Sequence, residues 1–167
     1  MSVLGIGLSV VGVLGAVLNI GLVVWGWSIA RGLSHLRKVH VDGERSQWPR
    51  VSIVVAVCDE AQTIEAALGS LLSLDYPSLE IVAVNDRSRD DTGQILDRLA
   101  AMDDRLRVVH IESLATGWLG SLNAMKRGKE AAAGEWLLFT DADVHLAPGC
   151  IRRAITLAES EELDYLG

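Results

Sequence analysis

The sequence is poor in the residues that staple a chain, kink it or give it positive charge. Of 167 residues, two are cysteine and three are proline. Cys58 and Cys150 stand 92 positions apart with no Cys-x-x-Cys and no Cys/His ligand spacing. That excludes a disulfide scaffold and a zinc site, and it reads as two reduced, buried thiols of a cytosolic domain. Fifteen Lys and Arg stand against 22 Asp and Glu, a formal charge of −7. A basic footprint for nucleic acid is therefore missing, and no nucleic-acid partner is expected. The first predicted strand is followed by no Gly-x-Gly-x-x-Gly, and the chain has no Gly-x-x-x-x-Gly-Lys. A dinucleotide oxidoreductase and a P-loop nucleotidase are excluded on that ground. Half of the residues are hydrophobic, which excludes disorder. The length suffices for one core, or a core and an anchor, but not for two large domains.

Charge is also absent from one end. No Asp, Glu, Lys, Arg or His occurs before Arg31, so all 37 acidic and basic residues fall among the last 137, or 27% of them. From Val3 to Ala30 the chain is almost entirely Val, Leu, Ile, Gly and Ala. That run exceeds the roughly 20 apolar residues needed to cross a bilayer. Trp25 and Trp27 near its end suit the headgroup layer, and Arg31, Arg37 and Lys38 follow. The sequence thus predicts one transmembrane helix over 1–30, inserted through residues 3–30, with everything after Arg31 facing the cytoplasm. A cleaved signal peptide fits poorly, because no basic region precedes the run and the run is too long. Residues 31–50 carry mixed charge without apolar period and read as a juxtamembrane linker.

After Pro49 the pattern becomes regular. Short apolar runs at Val51–Val57, Leu79–Val84, Leu106–Ile111 and Glu135–Thr140 predict strands. Helical spacing predicts helices over Glu60–Leu72, Asp90–Ala101 and Ser121–Ala133, and a last helix with Pro148 in its first turn and Ile151, Ala154, Ile155 and Ala158 on one face. The strand starts are 28, 27 and 29 residues apart, the spacing of successive βαβ units. The predicted fold over 51–167 is therefore α/β, with a mostly parallel, helix-covered sheet. In such sheets ligands bind beyond the carboxyl ends of the strands.

Those ends carry the candidate chemistry. Asp86, in VNDRSRDDT, stands just past the second strand, where a carboxylate can accept hydrogen bonds from a base or ribose. Ser88 and Asp91 form a capping-box-like pair for the next helix. Asp141 and Asp143, in FTDADVHLAPG, are two apart, so on an extended segment both point the same way. Paired carboxylates suit Mg²⁺ or Mn²⁺ completed by phosphate oxygens and water, and such a site stabilises a departing diphosphate. The alternative is that one Asp caps the following helix and the other is solvated. His145 reads as a loop residue.

From Pro49 to about Glu159 the chain resembles the nucleotide-binding half of family 2 glycosyltransferases, inverting enzymes of the Rossmann-like GT-A fold. IVVAVCDEAQTI (Ile53–Ile64), VNDRSRDDT (Val84–Thr92), GWLGSLNA (Gly117–Ala124) and LLFTDADVHLAPG (Leu137–Gly149) carry the resemblance, in order and at strand ends. It implies that Ala56, Val57, Asp59 and Glu60 flank the nucleoside and that Asp86 recognises the base. It implies that Gly117, Gly120 and Asn123 line the diphosphate. It also implies that Asp141-Ala142-Asp143 is the DXD-type motif, with Asp143 on the metal and Asp141 near the ribose or metal. Three departures stand out: Ala56 in place of Pro, Asp59 in place of Asn, and Ser121 where Lys is frequent. The last removes a cation from the diphosphate, for which Lys126, Arg127 or Lys129 are substitutes. Trp118 is either a wall of the sugar-phosphate site or a core residue.

The expected function is a single-pass, cell-membrane glycosyltransferase moving a sugar from a nucleotide-sugar donor to a lipid-linked or cell-envelope acceptor. The family's acceptor half, with the carboxylate that deprotonates the acceptor, has no counterpart among these motifs, so no general base is assigned. Two other readings stay open: a non-catalytic nucleotide-sugar-binding or assembly module, and a nucleotidyltransferase that also uses paired aspartates.

Overall fold

The structure is a computed structural model that describes Leu36, residues 39–41, Arg45, and residues 47–114 and 117–166. The predicted membrane span, and with it most of the predicted linker, lies outside the described residues. Among the described residues no helix is long and apolar enough to cross a membrane.

The element order is β1 (Val51–Val57), α1 (Ile64–Leu72), β2 (Leu79–Asp86), α2 (Thr92–Ala100), β3 (Leu106–Ile111), α3 (Gly120–Ala131), β4 (Trp136–Asp141) and α4 (Cys150–Ser160). The four strands form one sheet in the order β3-β2-β1-β4, and every pair is parallel. The α/β expectation is met. β1 and β2 are the β-branched runs, and as central strands they are buried almost throughout; β3 and β4 at the edges are partly open. The chain steps from β1 to β2 to β3 in one direction, then returns past β1 to place β4 on the other side. That reversal puts a topological switch point between β1 and β4.

Asp42–Arg152 forms one compact unit, and the remainder of α4 from Arg153 belongs to a second. Within the first, alternation decides which side chains meet which helix. Val54, Val82 and Val84 lie on the face covered by α3, in a cluster with Ile111 and Ala124. The helix comes unusually close there, because a Cβ on Gly128 would stand 2.2 Å from Cγ1 of Val54. On the other face Gly93 of α2 approaches Asn85, and the Arg98–Glu65 ion pair ties α2 to α1 at 2.7 Å. Val51 N–H joins Ser78 C=O, and Tyr76 Oη donates to Pro49 C=O at 2.7 Å. Trp48 packs edge-on to Tyr76, with the Arg45 and Arg152 guanidinium groups over its ring. The end of the predicted linker is thus part of the folded unit. Of the face predicted for α4, Ile151, Ile155 and Ala158 are buried and Ala154 is half-buried.

Beneath the amino ends of the strands, Glu80 is 4% exposed and its carboxylate is fully engaged. Ser52 Oγ and Ala133 N–H donate to Oε2, and Arg50 approaches Oε1 at 3.2 Å. Burial alone pushes the Glu80 carboxyl up, but these donors and the Arg50 charge outweigh it and hold the group below its ordinary value.

Candidate functional site

The second strand runs two residues further than its apolar pattern. Asn85 and Asp86 stay in the ladder, opposite Val57 and Ile111. Because successive strand residues point to opposite faces, these two polar residues serve different neighbours. Asn85 faces α2: its Oδ1 accepts from Ser88 N–H at 3.3 Å, and its Nδ2 lies 3.0 Å from His110 Nδ1. The amide therefore donates to Nδ1, which places the ring proton on Nε2, 2.9 Å from Asp97 Oδ1. Asp86 faces α3 and is 6% exposed. Its Oδ1 accepts from Arg87 Nε at 2.7 Å and its Oδ2 from Arg87 Nη2 at 3.0 Å. A Cβ on Gly120, the first residue of α3, would stand 2.7 Å from that Nη2 and 2.8 Å from Asp86 Oδ2. Only glycine leaves the pair where it is.

The first two βα loops are laced together. Asp59 N–H donates to Ser88 Oγ at 3.0 Å, and Arg89 N–H donates to Asp59 Oδ1 at 2.6 Å. Glu60 N–H donates to Thr92 Oγ1 at 2.9 Å, and Ala61 N–H to Asp90 Oδ2 at 3.1 Å. Asp59 and Arg87 both adopt left-handed backbone, at φ 55° and 61°. These commitments delay α1, which starts at Ile64 rather than Glu60. They also revise the predicted cap of α2. Asp91 makes no side-chain cap bond; Asp90 accepts from both the N–H and the hydroxyl of Thr92, while Ser88 serves Asp59. The Thr92 hydroxyl foremost, with the backbone donors, holds the Asp90 carboxyl below its ordinary value.

Over these strand ends lies a cleft of about 680 Å³ lined by Cys58, Asp59, Asn85 to Arg89, and His110 to Glu112. Cys58 is exposed there, which corrects its expected burial; Cys150 is half-buried, and both are free thiols. Partial desolvation, then the charges of Asp59 and Asp86, push the Cys58 thiol above its ordinary value, the reverse of what a nucleophile needs. A second cleft of about 470 Å³ adjoins at His110 to Glu112 and continues along Ser113, Trp118, Asn123, Lys126 and Arg127. Lys126 Nζ stands 4.8 Å over the Trp118 ring, so Trp118 is a cleft wall rather than a core residue.

Of the residues singled out from the sequence, Asp59 and Asp86 meet in the first cleft, Gly120 abuts it, and Asn123 lines the second. Val57 is buried, half-buried Ala56 packs against the core beneath α3, and Glu60 accepts from the Thr63 hydroxyl at 2.6 Å, so these three offer the cleft little beyond backbone. Gly117 is exposed at φ 84°, outside both clefts. Lys129 lines neither cleft. Asp141 ends β4 opposite Ala56 of β1, two strands across and two residues back from Asp86, about 12 Å by strand geometry. Asp143 is not on an extended segment: Val144 N–H turns back to Asp141 C=O at 3.3 Å, so the period-two argument for parallel carboxylates does not apply. Neither Asp lines the two clefts. Likewise Pro148 stands two residues before α4, which begins at Cys150.

Among the described residues no group of three or more His, Cys, Asp or Glu could hold a metal by itself. Mg²⁺-type ions need no such cage, since they use one or two carboxylates together with substrate phosphates. Asp141 and Asp143 fit that mode: both are exposed, and their carboxylates have no hydrogen-bond or ion-pair partner among the described residues.

Comparison with known proteins fits this geometry. The sequence profile described as Glycosyl transferase family 2 matches residues 52–167. The glycosyltransferase EpsJ of Bacillus subtilis strain 168, itself described as uncharacterized, is 35% identical over 119 residues, 71% of this chain and 33% of its own. The mannosyltransferase PcManGT from Pyrobaculum calidifontis, solved in complex with GDP-Man and Mn²⁺, superposes with a TM-score of 0.62 at 28% identity, covering 81% of this chain and 39% of that one. S. aureus TarS 1–349 in complex with UDP-GlcNAc superposes at 0.58 and 25% identity, covering 68% and 32%. The chain spans about a third of the length of the curated relatives it matches first.

Proposed function

We infer the function from one premise: the chain belongs to glycosyl transferase family 2. We propose that the domain from Val51 onward binds the nucleotide-sugar donor of a glycosyltransferase, with the nucleoside in the cleft beyond β1, β2 and β3. The observation that carries this reading is Asp86. A carboxylate 6% exposed at a strand end, with one acceptor site on each oxygen used by Arg87, keeps two further acceptor sites for base or ribose donors. Asn85, Ser88 and the backbone of Cys58 and Asp59 complete a polar lining of the right kind. UDP-GlcNAc and GDP-Man in the neighbouring structures support a sugar nucleotide as the ligand class.

Charge supports a cation partner. Asp59, Asp86 and Glu112 outnumber Arg87 and Arg89 in the cleft, so a diphosphate enters a surface of net negative sign. Asp141 and Asp143, at the switch-point edge, would hold Mg²⁺ or Mn²⁺ against the donor phosphates. When bound, that ion supplies neutralisation of charge on the departing diphosphate. In transfer, an acceptor hydroxyl attacks the anomeric carbon and gives up its proton to a general base, which none of the residues assigned above provides, while the bond to the diphosphate oxygen breaks and its electron pair leaves with the nucleotide. We propose residues 3–30 as the membrane anchor that brings the domain to a lipid-linked or envelope acceptor.

Calorimetric titration of the chain with UDP-GlcNAc and GDP-Man, with and without Mn²⁺, tests the donor reading. Saturable binding of one of them, tightened by Mn²⁺ and no longer tightened in Asp143→Ala, is expected. Absence of binding by both, in the presence of Mn²⁺, would contradict it.

A further inference from the structure

We propose that Arg87 binds the diphosphate of the donor, held ready by Asp86 and admitted by the missing side chain of Gly120. The proposal rests on the donor-binding reading above. The sequence offered Lys126, Arg127 and Lys129 as cations for this task. Lys126 is instead spread over the Trp118 ring and near Glu130, and Arg127 lies 3.5 Å from Glu130, both in the second cleft. Arg87 lines the first cleft and points back over the end of its own strand. Left-handed backbone at this residue, φ 61°, sends the side chain there, and its N–H is kept by Ile111 C=O at 3.1 Å. The guanidinium spends Nε and one Nη2 hydrogen on Asp86 and keeps three donors. A planar fork fixed on one edge loses little freedom when its other edge meets phosphate oxygens, which is the geometry arginine reads in pairs. Arg89 shares the cleft, but among the described residues no hydrogen bond or ion pair fixes its side chain.

Asp86 and Arg87 thus act as one two-headed unit. The carboxylate accepts from the nucleoside, and the guanidinium donates to the phosphates beside the first turn of α3. Gly120 sets the spacing between them and the helix, since a Cβ would fall 2.7 Å from Nη2. An alanine there meets the ends of two side chains, the Arg87 guanidinium and the Asp86 carboxylate, so it displaces the pair rather than the helix.

The test is isothermal titration of the full chain, with Mn²⁺ present throughout, with UDP and uridine and with GDP and guanosine, for wild type, Arg87→Ala and Gly120→Ala, with melting curves alongside. Arg87→Ala is expected to weaken the preferred diphosphate about tenfold or more while the matching nucleoside changes less than about threefold. Gly120→Ala, whose Cβ displaces both the guanidinium and the Asp86 carboxylate, is expected to weaken diphosphate and nucleoside together with a melting temperature no lower than wild type, which separates ligand contact from folding. In Arg87→Ala, diphosphate and nucleoside weakening in parallel, or neither weakening, would overturn the role of Arg87 and leave donor binding standing. Failure of wild type to bind any of the four would overturn both.

Discussion

Gly128 of α3 is the position where one methyl group tells most about how the sheet holds the site. An added Cβ would meet Val54 Cγ1 at 2.2 Å and Val84 Cγ2 at 3.0 Å. Carbon atoms pack at about 3.5–4.0 Å, so something must give by about 1.5 Å. Val54 is 1% exposed in the central strand, and its β-branched side chain has little rotamer freedom. The helix must therefore lift. Overpacking costs about 1–3 kcal/mol, and a clash this short with a buried β-branched side chain stands in the upper part of that range, at about 2–3 kcal/mol. Alanine returns about 1 kcal/mol of helix propensity. Gly128→Ala should lose about 1–2 kcal/mol in urea denaturation, and its melting temperature should fall by about 4–12 °C. Gly69 in α1 is the control, since a Cβ there meets nothing within 4 Å; Gly69→Ala should gain about 0.5–1 kcal/mol. Because α3 also carries Gly120 and Asn123, Gly128→Ala should weaken nucleotide binding as well. Equal or higher stability of Gly128→Ala would refute the close approach of α3 to β1.

Two further predictions concern groups with shifted titration. Glu80→Gln should cost about 1–3 kcal/mol at pH 7. Because the folded carboxyl titrates below its unfolded value of about 4.3, its contribution is present above that pH and is lost as pH falls through the folded value. Denaturation of wild type and Glu80→Gln from pH 7 to pH 3 should therefore converge; a constant gap would contradict the role of the charge. Cys58, raised above its ordinary value, should alkylate slowly with iodoacetamide at pH 7, faster as pH rises, and slower again when nucleotide fills the cleft. Fast alkylation at pH 7, unaffected by nucleotide, would count against both its environment and its place.

The sheet was legible because its strands are continuous apolar runs at even spacing; Val51–Val57 and Leu106–Ile111 fall where the pattern puts them. The ends were not. Asn85 and Asp86 look like a turn, yet ladder bonds depend on backbone, not on side-chain polarity, and both stay in β2. The start of α1 is decided by Asp90 and Thr92, some 30 residues on, which local pattern cannot show. The same holds for the site. Asp86 is legible as a carboxylate beyond a strand, whereas Arg87 and His110 acquire partners only through the left-handed turn and the β2–β3 register. Asp143 fell to the opposite error, because the strand ends at Asp141 and alternation ends with it.

The most direct test is to compare wild type with Asp86→Asn in titrations with UDP and GDP, each beside its nucleoside. Asparagine keeps the size of the side chain and loses charge and one acceptor. Nucleoside and diphosphate should both weaken about tenfold or more, with secondary structure unchanged by circular dichroism. Binding as tight as wild type in Asp86→Asn would remove the nucleoside from this cleft.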